Sequence, residues 1–261
     1  MNKNNKIWST LAAMFLSVGV ANAAPIYWTD WTGGDLNPGV GFQGTGTITT
    51  PNSTVTVTYT NPQGIGFYQP SGGGYYYSNG TDGPTGTSPF TSALVDNRPG
   101  TTDIISLQYA GTQTLSFSQA IANPVFAYVS LNGNGYGFNQ DFEILSFGHP
   151  SDGNVCGYWG CGTSYKQVVT VNGQTEYQLL GTGEPHGTLR FTGTFDTVSW
   201  RSLSNEYWNG FTVGVQETAV AFCTANPNAP GCNASGVPEP TSLALFGIAL
   251  AALGFGRRRA V

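Results

Sequence analysis

The residues from Thr54 to Tyr59 alternate between threonine and a larger apolar side chain, and this pattern restricts the fold more than any other feature of the sequence. In an extended backbone, Val55, Val57 and Tyr59 point to one side and the threonines to the other, as in a half-buried β-strand. Residues 24–235 show no 3.6-residue apolar periodicity of a long amphipathic helix. The sequence therefore predicts an all-β fold.

Other short runs rich in Val, Ile, Thr and aromatic residues are separated by Gly, Asn and Pro, which favour turns. The further predicted strands are Thr45–Thr49, Ile104–Tyr109, Thr114–Phe117, Val125–Leu131, Phe142–Phe147, Lys166–Val171, Tyr177–Leu180, Thr188–Phe191, Thr197–Trp200 and Phe211–Val215. Asn172-Gly173, which separates two of them, is a strong β-hairpin signal. Many short strands at this spacing indicate a single domain of β-sandwich or jelly-roll type over residues 24–235, in which the Gly-, Tyr- and Pro-rich residues 63–100 form a long insertion.

Charged residues make up 9% of the chain, against about 25% in a typical globular protein. Between the terminal segments only Arg98, Lys166, Arg190 and Arg201 are basic, whereas thirteen residues are acidic. This central part of the chain therefore has a net charge of −9. Nucleic-acid binding depends on a basic surface. We therefore exclude nucleic acid as a partner.

The amino-terminal segment has two lysines, then an apolar run, and then Ala21-Asn22-Ala23. This is the order of a secretory signal peptide, with small residues at the positions that signal peptidase reads. The sequence predicts a signal peptide over residues 1–23, cleaved before Ala24. An uncleaved amino-terminal anchor is the alternative.

The carboxyl-terminal segment contains an apolar run over residues 243–256, which is predicted to be a short transmembrane helix. As a helix it is about 20 Å long, against a hydrocarbon core of about 30 Å. Arg257, Arg258 and Arg259 should remain cytoplasmic by the positive-inside rule. Pro238 and Pro240 keep the preceding residues extended, and so accessible to a protease.

Val237-Pro238-Glu239-Pro240, the short apolar helix and the arginine cluster together resemble the PEP-CTERM sorting signal, here over residues 236–261. The resemblance implies an exported protein of a Gram-negative bacterium that makes extracellular polysaccharide. It also implies recognition by an exosortase, cleavage near Pro-Glu-Pro, transient attachment to the inner membrane, and release to the cell surface or beyond. A permanent carboxyl-terminal anchor is the alternative.

The four cysteines fall into two close pairs, Cys156 with Cys161 and Cys223 with Cys232. In an exported chain an even number of cysteines indicates disulfides. Three pairings are possible, and we favour the two local ones because glycine-containing loops allow the chain to fold back.

Metal binding is a weaker hypothesis, and the sequence predicts no cofactor. His149 and His186 would have to complete a zinc site, since the cysteine spacings miss the C-x-x-C pattern. A structural Ca²⁺ would need oxygen ligands, and the sequence has no acidic D-x-D-x-D loop. The candidate oxygen ligands are Asn132, Asn134, Asp152 and Asn154.

No G-x-S-x-G, H-E-x-x-H or P-loop motif is present, so we predict that the protein is not an enzyme. The predicted function is a structural or interaction role in exopolysaccharide or biofilm. One alternative is a glycoside hydrolase, which would use two carboxyl groups from Asp141, Glu143 and Glu184.

The other alternative is a carbohydrate-binding module. Aromatic rings set among Asn, Asp and Gln offer flat apolar faces to sugar rings. The candidate glycan contacts are Tyr75, Tyr76 and Tyr77, together with Tyr158-Trp159 and Tyr207-Trp208. Trp200 and Trp208 are also candidates for the core, because tryptophans in strands commonly fill it.

Overall fold

A computed structural model describes residues 25–37, 41–78 and 88–232. In chain order the elements are β1 (Tyr27–Trp28), β2 (Asp30–Asn37), β3 (Gly41–Thr49), β4 (Thr54–Asn61), β5 (Phe67–Gln69), β6 (Ile104–Leu107), β7 (Gly111–Ala122), β8 (Val125–Val129), β9 (Tyr136–Phe138), β10 (Phe142–Phe147), a 3₁₀ turn (Pro150–Asp152), β11 (Gly162–Val171), β12 (Gln174–Gly183), β13 (Gly187–Phe191), β14 (Thr194–Ser202), β15 (Asn209–Val215), β16 (Glu217–Thr218) and α1 (Ala219–Ala225). The predicted signal peptide and sorting tail, including Ala21, Ala23, Ala24, Val237–Pro240 and Arg257–Arg259, lie outside the described residues.

Within the described residues the strands form two antiparallel sheets. The smaller sheet has the order β10-β13-β8-β15-β6-β5, with β1 paired to β15. The larger sheet has the order β11-β12-β9-β14-β7-β4-β3-β2, with β16 paired to β7. This architecture confirms the predicted all-β class. In the same ranges no helix is long and apolar enough to cross a bilayer.

The core between the two sheets is rich in aromatic residues. Phe126 and Phe211, on neighbouring strands of the smaller sheet, stack with ring centroids 4.8 Å apart. Trp200 of the larger sheet meets Phe126 edge-on at 5.2 Å, and Tyr59 meets Phe211 at 5.1 Å. These side chains face inward because alternate residues of a strand lie on the same side. Edge-to-face contacts of this kind are each worth about 0.5–1.5 kcal/mol beyond the area they bury.

The hairpin of β11 and β12 projects beyond its neighbours. Its turn residues Asn172 and Gly173 both have positive φ, 51° and 79°, as a two-residue hairpin turn requires. β9 pairs with β12 only from Tyr177 to Leu179. The tip of the hairpin therefore extends past the end of β9, over the outer face of the larger sheet.

The described parts of the predicted insertion, residues 63–78 and 88–100, cover the outer face of the smaller sheet. β5 pairs with β6, and the rings of Tyr77 and Phe90 pack in a small core with Ile104 and Val129. This core lies on the side of the smaller sheet that faces away from the larger one.

The strand directions define two ends of the domain. β15 begins at Asn209, and after it ends at Val215 the chain passes through β16 and α1 to Cys232. We call the end of the domain at α1 the tail end, and the end at Asn209 the distal end. Pro25, the first described residue, precedes β1, whose Tyr27 pairs with Val215, so both termini of the described chain lie at the tail end.

Candidate functional site

The three predicted glycan contacts at residues 75–77 do not form one platform. Tyr77 is fully buried, with its ring centroid 5.3 Å from that of Phe90. Burial raises the pKa of Tyr77 well above its usual value. The hydroxyl of Tyr75 donates a hydrogen bond to the Pro99 carbonyl oxygen. A buried ring cannot reach an external sugar, so Tyr77 is removed from the predicted surface.

Tyr76 instead joins a partly exposed group of rings at the distal end, which we call the aromatic shelf (Tyr76, Tyr158, Trp159 and Trp208). The ring of Tyr76 lies 5.1 Å from Tyr158 and 5.1 Å from Trp208. Trp159 closes the group at 4.9 Å from Tyr158 and 5.9 Å from Trp208. Tyr158 is 41% exposed and Trp159 is 50% exposed. Trp208 is half-buried and packs against the small core that contains Tyr77 and Phe90, whereas Trp200 lies in the main core.

A disulfide between Cys156 and Cys161 closes the loop that carries Tyr158 and Trp159, with the two Cα atoms 4.4 Å apart. Inside the loop, Gly157 donates its N–H to the Gly160 carbonyl at 2.9 Å, and the reverse bond is 3.3 Å long. The loop is therefore a tight turn with the two aromatic residues at its tip. This bridge confirms one of the two predicted local pairings.

His186 lies directly beneath this loop. A Cβ atom on Gly157 would be 2.1 Å from Cδ2 of His186, so only glycine fits above the ring. Nδ1 of His186 accepts a hydrogen bond from the Ser130 N–H at 3.1 Å, which places the ring proton of the neutral form on Nε2. Burial lowers the pKa of His186 from 6.5 to about 3, so the imidazole is neutral over the physiological range.

Ser130 joins the histidine to a carboxylate. Its φ of 55° lies in the left-handed region, which a non-glycine residue adopts only when its surroundings hold it there. The Ser130 hydroxyl donates to Glu184 at 2.7 Å, while its N–H is held by His186. Glu184 also accepts from the side-chain amide of Asn132. In addition, Glu184 touches the disulfide loop, since a Cβ on Gly160 would be 3.6 Å from its Cγ.

A second carboxyl group, that of Glu206, meets the same asparagine from the opposite side. The Asn132 backbone N–H donates to Glu206, and Nδ2 of Asn209 donates to its Oε2 at 2.8 Å. Burial raises the pKa of Glu206 from 4.5 to about 8, and the charge of Glu184 adds to the rise. Glu206 therefore keeps its proton near neutral pH. We call Ser130, Asn132, Glu184, Glu206 and Asn209 the polar network, and the shelf and the network together the distal site.

The elements of the distal site all end or begin at the same end of the smaller sheet. Gly210 pairs with Val129 and Tyr128 pairs with Gly187, so the residues before β15, after β8 and before β13 lie together. Six peptide steps of β15 separate this end from the tail end, a distance of roughly 20 Å at the usual rise of a strand.

The other predicted carboxylates lie elsewhere. Asp141 pairs with Lys166 at 2.7 Å, and Glu143 pairs with Arg190 at 2.8 Å. The two acidic side chains are 60% and 55% exposed, on an open surface. Because Glu143 pairs in register with Arg190, near the end of β13, it lies at the opposite end of that strand from Glu184.

The candidate metal ligands make internal hydrogen bonds. Oδ2 of Asp152 accepts from the Phe147 N–H at 2.9 Å and from Nδ2 of Asn154 at 2.8 Å. Oδ1 of Asn134 accepts from the Ser204 N–H at 2.9 Å. Nδ1 of His149 accepts from the Ser151 N–H at 3.1 Å. Among the described residues no three His, Cys, Asp or Glu side chains are grouped to hold a metal.

At the tail end, Cys223 of α1 is bridged to Cys232, with Cα atoms 5.1 Å apart, as the second predicted pairing requires. Thr218 caps the helix by accepting from the Ala221 N–H at 3.3 Å. The last described residues are thus covalently tied to the folded domain.

Residues 236–260, which follow this disulfide, match the family model described as the PEP-CTERM protein-sorting motif. The chain carries a PEP-CTERM sorting motif. The match confirms the resemblance seen in Val237-Pro238-Glu239-Pro240 and the residues after it. Comparison with curated proteins gave no match, and comparison with solved structures gave none either.

Proposed function

We propose that this protein is a non-enzymatic surface or extracellular-matrix protein that binds extracellular polysaccharide through its distal site. The PEP-CTERM motif marks the chain for exosortase-type processing and export. We further propose that signal peptidase removes the signal peptide and that the chain then resides transiently in the inner membrane of a Gram-negative bacterium. The processed protein is released into the biofilm matrix.

The observation that carries the binding proposal is the partly exposed aromatic shelf beside hydrogen-bonding groups. Tyr158 and Trp159 present apolar ring surface that suits the C–H faces of a sugar. Glu184, which touches the base of the same loop, and Asn132, which donates to Glu184, offer carboxylate and amide groups to sugar hydroxyls. Aromatic contact combined with a few fixed polar groups is a common composition for a small-molecule or glycan site.

Preorganisation supports the same proposal. The disulfide, the glycine turn above His186 and the polar network fix the loop before any ligand arrives. A prefixed loop saves ordering entropy on binding, roughly 0.5–1.5 kcal/mol for each side chain that is already immobilised. The distal site also lies at the opposite end of the domain from Cys232, the last described residue before the sorting motif, which supports access by a polysaccharide.

A binding experiment tests the shelf. Trp159→Ala should weaken binding to purified bacterial exopolysaccharides by roughly 10- to 30-fold, because loss of a central aromatic contact costs about 1.4–2 kcal/mol. Tyr165→Ala is the matched control, because Tyr165 is 48% exposed but lies on the edge strand β11. Affinity electrophoresis measures both variants. Equal retardation of Trp159→Ala and wild type by every polysaccharide tested would refute the proposal.

A second experiment tests the processing. The intact mass of native protein should correspond to loss of residues 1–23 and of the segment that follows the Pro-Glu-Pro site. Joint replacement of Pro238, Glu239 and Pro240 by alanine should leave the tail attached and the protein in the membrane fraction. An unchanged mass and location in that variant would contradict exosortase processing.

A further inference from the structure

A groove of about 260 Å³ opens on the solvent face of the larger sheet. Its floor is formed by outward-facing positions of β7, β9 and β14, and the β11–β12 hairpin forms one wall. Its lining includes Thr112, Gly137, Asn139, Gln174, Glu176 and Arg201. None of them belongs to the aromatic shelf or to the polar network.

A fixed ion pair lies across the floor. Arg201 donates from Nε to Glu176 at 2.6 Å and from Nη2 at 2.9 Å. Gln178 donates a further bond to the same carboxylate at 2.7 Å. Glu176 rests directly on Gly137, where a Cβ atom would be 2.5 Å from the carboxylate carbon. The two charges cancel, and the groove has no other charged lining residue.

Hydrogen-bonding groups around this pair are unused by the protein. Within residues 25–37, 41–78 and 88–232, the side chains of Thr112, Asn139 and Gln174 accept or donate no hydrogen bond, and all three are exposed. Arg201 donates from Nε and Nη2 to Glu176 and is 36% exposed, and its Nη1 has no hydrogen-bond partner among the described residues. A neutral concave surface with several free donors and acceptors suits a hydroxyl-rich ligand without charge.

The surface beside the groove has the same character. The outward residues of β3 and β4 pair hydroxyl with hydroxyl, as in Thr45 with Thr58 and Thr47 with Thr56. Across the next pairing, Thr60 lies beside Thr114, whose hydroxyl is 2.9 Å from that of Ser199. A linear ligand leaving the groove in this direction therefore meets small hydroxyl side chains on β7, β4 and β3.

We infer that the groove over the Arg201–Glu176 pair is a second saccharide-binding site, which takes a neutral sugar segment of a polysaccharide. The inference rests on the proposed function for the class of ligand. Because the groove and the distal site share no residue, one molecule binds two chain segments at once. The protein would then cross-link polysaccharide, with an effective affinity well above that of either site.

Titration calorimetry with neutral hexasaccharides of glucose, mannose and galactose, together with turbidity of the polysaccharide that binds, tests the inference. The groove variant combines Asn139→Ala with Gln174→Ala, two exposed positions on which the fold does not depend. The distal variant is Trp159→Ala. Tyr165→Ala is the control, because Tyr165 is exposed on β11 but belongs neither to the groove nor to the distal site.

We expect two sites in the wild type and in the control. The groove variant should lose one site, with at least a tenfold weaker affinity there, and the distal variant should lose the other. Only proteins with both sites should make the polysaccharide turbid. Two undiminished sites in the groove variant, or no binding of any neutral hexasaccharide, would overturn the inference.

The two proposals fail in different ways. A single site that Trp159→Ala abolishes leaves the distal site standing and removes the groove. A single site that the groove variant abolishes, with Trp159→Ala unaffected, leaves the groove standing and removes the distal site.

Discussion

Replacing His186 by asparagine should remove an acid-sensitive part of the stability of this domain. The imidazole is fully buried, and burial lowers its pKa from 6.5 to about 3. Below pH 6.5 the unfolded chain binds a proton that the native state does not accept. The stability that depends on neutral His186 is thus present above pH 6.5 and is lost as the pH falls towards 3.

The size follows from the pKa difference. A pH of 5 lies 1.5 units below the pKa of His186 in the unfolded chain, so the imidazole is protonated there. In the native state it is still neutral at this pH. Each pH unit corresponds to about 1.36 kcal/mol. Because native His186 stays neutral, the unfolding free energy of the wild type is lower by about 2 kcal/mol at pH 5 than at pH 7.5. An asparagine side chain can still accept the Ser130 N–H bond but does not titrate.

Urea unfolding of wild type and His186→Asn at pH 7.5, 6 and 5 measures this effect. Burial raises the pKa of Asp103 to about 6, so this group titrates in both proteins and changes the stability of each with pH. The informative quantity is therefore the difference in unfolding free energy between the two proteins, followed as a function of pH. The wild type should lose about 2 kcal/mol more than the variant between pH 7.5 and 5. His149→Asn, at a partly exposed histidine, is the control. Parallel curves for wild type and His186→Asn would refute the argument from burial.

Three further predictions concern the distal site and its support. Burial raises the pKa of Glu206 to about 8, so the stability that its protonated carboxyl contributes is fully present below pH 4.5 and is lost as the pH rises through 8. Glu206→Gln should abolish this loss, about 2 kcal/mol after a discount for partial exposure, between pH 5 and 9 in urea unfolding, and an unchanged pH slope would count against it. Replacing Cys156 and Cys161 by serine should lower the unfolding free energy by about 2 kcal/mol, as expected for so short a loop. The same replacement should shift tryptophan fluorescence to the red. An unaltered spectrum would mean that the bridge does not hold Trp159 in place. Tyr77→Ala should cost roughly 3–5 kcal/mol in thermal unfolding and Tyr76→Ala clearly less, and the reverse order would show that their burial is misassigned.

The sequence predicted strands where side chains alternate and missed them where glycine replaces a side chain. In β4 the inward set of Val55, Val57 and Tyr59 is buried, as the alternation requires. β2 contains two consecutive glycines and β9 centres on Gly137, so neither shows a periodic pattern. Helix α1 has seven residues, too few to reveal a 3.6-residue period.

The distal site was only partly predictable. The sequence shows that Tyr158-Trp159 and Tyr207-Trp208 are candidates for exposed rings, but not that Trp159 meets Trp208 across two distant loops. Glu206 was missed, because an isolated carboxyl two residues before a tryptophan carries no motif. Its raised pKa arises from burial and from Glu184, both of which exist only in the folded chain. Tyr77 was misjudged because three consecutive tyrosines do not reveal which ring turns inward.

The placement of the distal site and Cys232 at opposite ends of the domain has a mechanical consequence. A force that pulls on the distal end, while the tail end is held, loads β15 along its own length. The bonds that β15 makes with β8 and β6 run across the strand, so they carry this load in shear, all together. Peeling one hydrogen bond at a time would need a pull across the sheet. The domain is therefore built to resist tension along the axis that joins its distal end to its tail end.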